Sequence, residues 1–126
     1  MEDIDFSDAF CRFVQVHLPS VDAAELLLVA FHDPNVAWKA HEAVERLPAG
    51  VNMTEADAGK HLLAFQAAGL MDSSMRYRPA SAELGSFVQT LAKAYEERPV
   101  TLIRLIYALR DRKIRSFADA FKLRKD

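Results

Sequence analysis

The sequence predicts a mainly α-helical fold, and three observations lead to that prediction. Apolar residues recur at spacings of three and four along most of the chain, which is the period of an amphipathic helix. Only four glycines and five prolines occur in 126 residues, so few breaks interrupt the helical pattern. Hydrophobic residues make up 51% and charged residues 27% of the chain, the balance of a folded globular protein. A chain of this length is expected to form one domain, or one domain with an added arm.

Two helices are predicted in the first third of the chain. Residues 1–20 contain an N-terminal helix that Pro19 ends, with its side chains at helical spacing: Phe6, Phe10, Phe13, Val14 and His17. Ser20 is then placed to cap a second helix, Val21–Phe31. The run Leu26–Phe31 has the length of a buried strand, but the Asp-Ala-Ala-Glu segment before it and its few β-branched residues favour a central core helix.

The middle of the chain predicts a helix, a tight turn and a second helix. Residues 38–47 have the spacing of a short helix that begins near Trp38. Asn52 followed three residues later by Glu55 has the form of a capping box. The helix it introduces is expected to run to Gly69, a natural left-handed stop, with one apolar face: Ala58, Leu62 and Phe65.

A short β-hairpin and further helices complete the prediction. Residues 70–79 change character, with two short arms around Ser73-Ser74, and predict a small hairpin. Ser81 caps a long amphipathic helix. Pro99 either kinks that helix or opens a new one. One more amphipathic helix is predicted near the end, on the spacing of Ile114, Phe117, Ala118 and Phe121.

This order of elements resembles the winged helix-turn-helix domain of small bacterial regulators, MarR-like and related groups. The most specific part of the resemblance is Ala58-x3-Leu62-x2-Phe65-x3-Gly69-Leu70. It implies a winged three-helix bundle over residues 21–98, with an extra N-terminal helix in residues 1–20 and a helical, basic extension in residues 99–126. The implied function is that of a DNA-binding transcriptional regulator.

The resemblance also implies where double-stranded DNA would bind. Residues 52–68 would be the recognition helix in the major groove, and the hairpin would touch the DNA backbone. Thr54 and Lys60 would reach phosphates and His61 a base edge. Arg76 and Arg78, two apart on one strand, would bind phosphates.

Other residues oppose DNA binding at the same place. Glu55 and Asp57 near the start of the helix repel phosphate, and the helix carries no arginine for bidentate contact with guanine. Arg76 and Arg78 have an alternative role as ion-pair partners of Asp72 or Glu83. A second hypothesis is therefore a protein-protein interaction module that keeps the winged scaffold without binding DNA.

Charge is distributed unevenly along the chain. Through Glu97 there are seven Lys/Arg against fifteen Asp/Glu, a net charge of -8, and from Arg98 onward nine against three, a net charge of +6. The basic end indicates either an anionic partner or attraction between the two ends, within one chain or across a dimer. We favour attraction between the ends, because the basic segment also carries several large apolar residues. A homodimer through the terminal helices is expected, since the N-terminal aromatic face and Val100–Leu109 exceed the needs of a three-helix core.

Several classes of function are not expected. No phosphate-binding glycine loop, nucleophile elbow or metal-ligand spacing occurs among the four histidines, so we expect no enzyme, no cofactor and no metal site. Cys11 is predicted to be a small hydrophobic residue, and Trp38 and Tyr77 to be core aromatics rather than ligand-stacking ones. The single cysteine, the acidic start and the lack of a long apolar run lead us to expect a cytoplasmic protein with no membrane segment.

Overall fold

The computed structural model describes residues 6–119, with side chains for residues 6–110. Within that range the chain forms six helices and no β-strand: α1 (Asp8–His17), α2 (Val21–His32), α3 (Ala40–Arg46), α4 (Glu55–Ala67), α5 (Ala82–Glu97) and α6 (Pro99–Asp119). The mainly helical character agrees with the prediction. The winged architecture that the resemblance implied is not observed among these residues.

Helix α2 is the centre of the core. It contacts α3, α4, α5 and α6, and its buried residues cover most of its circumference: Ala23, Ala24, Glu25, Leu26, Leu27, Leu28 and Ala30. The Ser20 hydroxyl accepts a hydrogen bond from the backbone N–H of Ala23 at 3.1 Å, which confirms the predicted cap. The apolar run that a strand could also have used is therefore the central helix of the fold.

The N-terminal helix packs inside its own chain. Phe6, Phe10 and Phe13 are buried, and the ring of Phe13 lies 5.1 Å from that of Phe87 on α5. The backbone of α1 also contacts α6. The N-terminal aromatic face, which we expected to contribute to a homodimer, is buried against the core of its own chain.

Helices α3 and α4 pack against each other and against α2. The short helix begins at Ala40, two residues after Trp38, which is buried in the core. The predicted capping box at Asn52 is wrong, because α4 begins at Glu55 and its N-cap is Thr54. The predicted inner face is confirmed: Ala58, Leu62 and Phe65 are buried.

The predicted β-hairpin wing is wrong. A single antiparallel bridge joins Met71 and Tyr77, and no strand is formed on either side of it among the described residues. Beyond the bridge the N–H of Arg78 donates to the carbonyl oxygen of Leu70 at 3.0 Å and that of Ala80 to Gly69 at 2.7 Å, and Gly69, with φ of +86°, is not in an extended conformation. Inside the turn the N–H of Asp72 donates to the carbonyl oxygen of Arg76 at 2.9 Å, but the N–H groups of Arg76 and Ser74 donate to the carboxylate of Asp72, so a side chain takes the place of the returning backbone bond.

The predicted end of α4 and the predicted start of α5 are confirmed. Gly69 follows α4 with φ of +86°, and its amide donates to Gln66. The Ser81 hydroxyl caps α5 by accepting from the N–H of Leu84 at 3.1 Å. Pro99 opens a new helix rather than kinking α5, and it stands at the first helical position, where its missing N–H costs no hydrogen bond.

The last helix differs from its prediction. Helix α6 continues without a break to Asp119, so Ile114, Phe117 and Ala118 belong to it and form no separate element. Phe121 lies outside the described residues. The first half of α6 packs into the core through one row of side chains: Leu102, Ile106 and Leu109.

Candidate interaction face on the fourth helix

The outer surface of α4 contains three of the five residues predicted to contact DNA. Thr54 is the N-cap, and its hydroxyl accepts a hydrogen bond from the N–H of Asp57 at 3.0 Å. Lys60 is exposed on the middle of the helix. His61 is half-buried, with its ring stacked on Phe65 at 6.3 Å. Of these three side chains, only that of Lys60 extends into solvent without such a structural role.

A row of small and apolar residues occupies the part of α4 that faces away from the core. At 100° per residue, positions 56, 60, 63 and 67 lie opposite the buried positions 58, 62 and 65. Ala56, Ala64 and Ala67 are exposed, and Leu63 is 60% exposed. We name the row Ala56, Lys60, Leu63 and Ala67, with Ala64 beside it, the α4 outer face.

Leu63 was missed by the sequence interpretation, which placed Thr54, Lys60 and His61 of this helix toward DNA. A signal was present, because position 63 is seven residues from position 56 and about 130° from the mean direction of the buried row. An exposed leucine among alanines makes this face apolar where a DNA-reading helix needs hydrogen-bonding groups.

Arg76 and Arg78 have partners within the turn after α4. The Nε of Arg78 lies 3.7 Å from Oδ2 of Asp72, and the Nε of Arg76 donates to the carbonyl oxygen of Asn35 at 3.2 Å. The backbone N–H groups of Arg76 and Ser74 donate to Oδ1 of Asp72 at 3.0 and 2.8 Å. The alternative role of Arg78, as an ion-pair partner of Asp72, is thus the one observed.

The same contacts act on the charge of Asp72. The hydrogen bond from the Arg76 amide is the largest influence, and with the Ser74 amide and the two arginine charges it lowers the pKa of the Asp72 carboxyl below its ordinary value of 3.8. The carboxylate therefore holds the turn in its ionised form.

The five predicted DNA contacts belong to two segments, α4 with its N-cap and the turn that follows α4. Thr54 stands at the start of α4, whereas Arg76 and Arg78 follow its end, and a helix of 13 residues is about 20 Å long. Glu55 and Asp57, both exposed, lie beside Thr54. The start of the helix is acidic, its middle apolar with one lysine, and its arginines belong to the following turn.

A buried acid on α2 was also missed by sequence analysis. Glu25 is 8% exposed, and it accepts a hydrogen bond from the hydroxyl of Tyr95 on α5. Burial, followed by the contact with Glu25, raises the pKa of Tyr95 from 10.0 to about 12. The two residues are 70 positions apart, so no local pattern connects them.

Trp38 lies in the core, as predicted. Its ring is 4% exposed, and the guanidinium of Arg46 lies over it at 5.1 Å. Arg46 in turn forms an ion pair of 2.7 Å with Asp33. The guanidinium of Arg46, itself paired with Asp33, covers the indole, and the burial of Trp38 assigns it to packing.

The described residues hold no candidate metal site and no single membrane-spanning helix, and the chain has no match among known proteins. Among residues 6–119, no group of three His, Cys, Asp or Glu side chains is arranged to hold a metal ion. No single helix in that range has the length and apolarity to cross a membrane; α1 and α2 reach them only together, across a bend of 101°. No protein-family model, curated protein or solved structure matches the chain.

Proposed function

We propose that this protein is a protein-interaction module and that the α4 outer face is its docking surface. The exposure of Leu63 on a face whose other residues are alanines and Lys60 carries the proposal. The occupant we infer is an amphipathic helical segment of another protein that presents leucine-like side chains together with lysine or arginine.

The shape and polarity of the α4 outer face support this occupant. Alanines leave a flat surface on which a second helix lies close, and Leu63 provides one side chain that inserts between its residues. Removing that side chain from water contributes about 1 to 2 kcal/mol to docking.

The charge at the start of α4 supports basic residues in the partner. Glu55 and Asp57 are exposed next to the apolar row, and they attract cations while repelling phosphates. The sign of this patch is the reason that we place a basic helix here rather than a nucleic acid.

The DNA-binding hypothesis has weaker support from the same residues. The Thr54 hydroxyl caps the helix, and Arg76 and Arg78 contact Asn35 and Asp72. A DNA duplex at this face would gain a phosphate contact with Lys60, but Glu55 and Asp57 at the start of α4 would repel its phosphates.

The test uses a fluorescent peptide of leucine and lysine at helical spacing as the probe. Anisotropy titration of the full chain should show saturable binding, with none for the matching peptide of leucine and glutamate. Leu63→Asp should weaken binding by about tenfold, which corresponds to about 1.4 kcal/mol. Val16→Asp is the matched control, because Val16 is 57% exposed on α1.

A second pair of variants separates the protein and DNA hypotheses by sign. Glu55→Gln combined with Asp57→Asn should weaken binding of the basic peptide and would tighten binding of a labelled DNA duplex. Duplex binding that is stronger than peptide binding, and that Arg76→Ala with Arg78→Ala weakens, would overturn the proposal. So would peptide binding that Leu63→Asp and Val16→Asp reduce equally.

A further inference from the structure

A groove on the surface between α1 and α5 has an apolar floor. It encloses about 340 Å³, and its larger apolar side chains are Phe13 and Val16 of α1 and Leu84 and Phe87 of α5. The rings of Phe13 and Phe87 lie 5.1 Å apart with their planes tilted by 31°, and Leu84 and Phe87 are only half-buried. The groove therefore offers aromatic surface that the packing of the two helices leaves partly in water.

Two side chains of opposite charge line the same groove. Arg12 belongs to α1 and Glu83 to the first turn of α5, and both are exposed. The two side chains form no ion pair with each other, and neither forms an ion pair or a side-chain hydrogen bond with another described residue. The groove thus presents one cation and one anion that no partner among the described residues neutralises.

We propose that this groove binds a small zwitterion with an apolar body, and that the ligand class is the aromatic amino acids. The guanidinium of Arg12 binds the carboxylate of the ligand, and the carboxylate of Glu83 binds its ammonium group. The aromatic ring of the ligand lies against Phe13 and Phe87. The groove is separate from the α4 outer face, and the proposal does not depend on the function proposed above.

Charge and size together select this class of ligand. A simple anion would be repelled by Glu83 and a simple cation by Arg12, whereas a zwitterion satisfies both groups. A zwitterion without an apolar part would leave the aromatic floor in water. A volume of about 340 Å³ is at the lower end of the range for small-molecule sites, about 300 to 1,000 Å³, which suits a single amino acid.

Equilibrium dialysis of the full chain against L-phenylalanine tests the site. We expect saturable binding of one molecule per chain. Arg12→Gln and Glu83→Gln should each weaken it by about tenfold, the effect of losing a hydrogen bond between charged groups, with unchanged helical circular dichroism. Glu96→Gln on α5 and Arg104→Gln on α6 are the matched controls, because they remove exposed charges that do not line the groove. No saturable binding, or binding that neither groove variant reduces more than its control, would overturn the proposal.

Two altered ligands test which charge of the protein meets which charge of the amino acid. N-acetylphenylalanine lacks the ammonium charge and phenylalanine amide lacks the carboxylate, so each should bind the wild-type chain about tenfold more weakly than phenylalanine. Glu83→Gln should bind phenylalanine and N-acetylphenylalanine equally, and Arg12→Gln should bind phenylalanine and its amide equally. A preference for phenylalanine over N-acetylphenylalanine that survives Glu83→Gln would contradict the assignment.

The α4 outer face supplies the control that separates this site from the docking surface. Leu63→Asp should leave phenylalanine binding unchanged, because Leu63 does not line the groove. Loss of phenylalanine binding in Leu63→Asp of unchanged circular dichroism would place the ligand elsewhere and overturn the proposal.

Discussion

At the scale of single residues, Gly69 has a conformation that no other amino acid adopts without strain. Its φ is +86°, and a Cβ there would lie 3.3 Å from the Cβ of Ala80. The residue ends α4 and begins the turn to α5, and the crowding shows that the two segments meet closely at this point.

We predict that Gly69→Ala lowers the free energy of unfolding by about 1 to 3 kcal/mol, from the left-handed backbone and from the crowding at Ala80. Gly50→Ala is the matched control, since Gly50 has φ of +95° but nothing within 4 Å of the added Cβ. Urea unfolding of both variants measures the difference. Equal losses would mean that the backbone conformation alone sets the cost.

The Tyr95–Glu25 hydrogen bond gives a second prediction at this scale. Tyr95→Phe leaves the buried carboxylate of Glu25 without its donor, and we expect the free energy of unfolding at neutral pH to fall by about 1 to 3 kcal/mol. Glu25→Gln keeps an oxygen acceptor for the hydroxyl and should cost less. The ranking of the two losses in urea unfolding checks the assignment of the bond.

The same tyrosine makes stability depend on alkaline pH. Burial and Glu25 raise the pKa of Tyr95 to about 12, and burial raises that of Tyr77 to about 12. Because an unfolded tyrosine ionises near pH 10, both contributions are complete below about pH 10 and are lost as the pH rises toward 12. Tyr95→Phe should therefore lose stability less steeply than wild type between pH 10 and 12, and parallel curves would contradict the assignment.

At the scale of elements, the caps show how neighbouring residues determine where helices begin. The serines before α2 and α5 each accept the N–H three residues on, at 3.1 Å, as the sequence predicted. At α4 two candidates compete, Asn52 and Thr54, and the hydroxyl of Thr54 takes the N–H of Asp57. An N-cap bond is a local contact, but which of Asn52 and Thr54 forms it depends on the residue at which the preceding loop lets the helix begin.

We predict that Thr54→Ala lowers the free energy of unfolding by about 0.5 to 2 kcal/mol, the usual cost of losing an N-cap. Asn52→Ala should change it by less than about 0.5 kcal/mol, because an exposed residue outside the cap has little effect. Thermal unfolding followed by circular dichroism compares the two. A larger loss for Asn52→Ala would restore the capping box that the structure replaces.

At the scale of the whole molecule, the aromatic residues in and just before α1 connect the N-terminal helix to α5 and to Arg98, the residue before α6. Phe10 contacts Phe6 and Phe13, its ring lies 6.4 Å from that of Phe87, and the guanidinium of Arg98 lies 5.2 Å from the Phe6 ring. The N-terminal helix is therefore part of the core that α5 and α6 build.

We predict that Phe10→Ala lowers the free energy of unfolding by about 3 to 5 kcal/mol, as for other buried phenylalanines. Urea unfolding at two protein concentrations measures the loss, which should be the same at both because the cluster lies within one chain. A loss that depends on concentration would mean that α1 also contacts a second copy.

Much of the local structure was determined by the sequence itself. Ser20, Ser81 and Gly69 each act through bonds to residues within four positions, and Leu62 and Phe65 share a helix face by spacing alone. Such contacts depend on neighbours along the chain, so the residues that make them are readable without a fold. For the same reason the inner face of α4 could be predicted.

The tertiary structure decided what local patterns leave open. Asp72 takes the amides that a hairpin would have paired, Glu25 finds its donor 70 residues away, and the α1 aromatics cover α5 rather than a second chain. Each outcome depends on which surfaces the packed helices bury together, and that is a property of the whole set of contacts rather than of any segment.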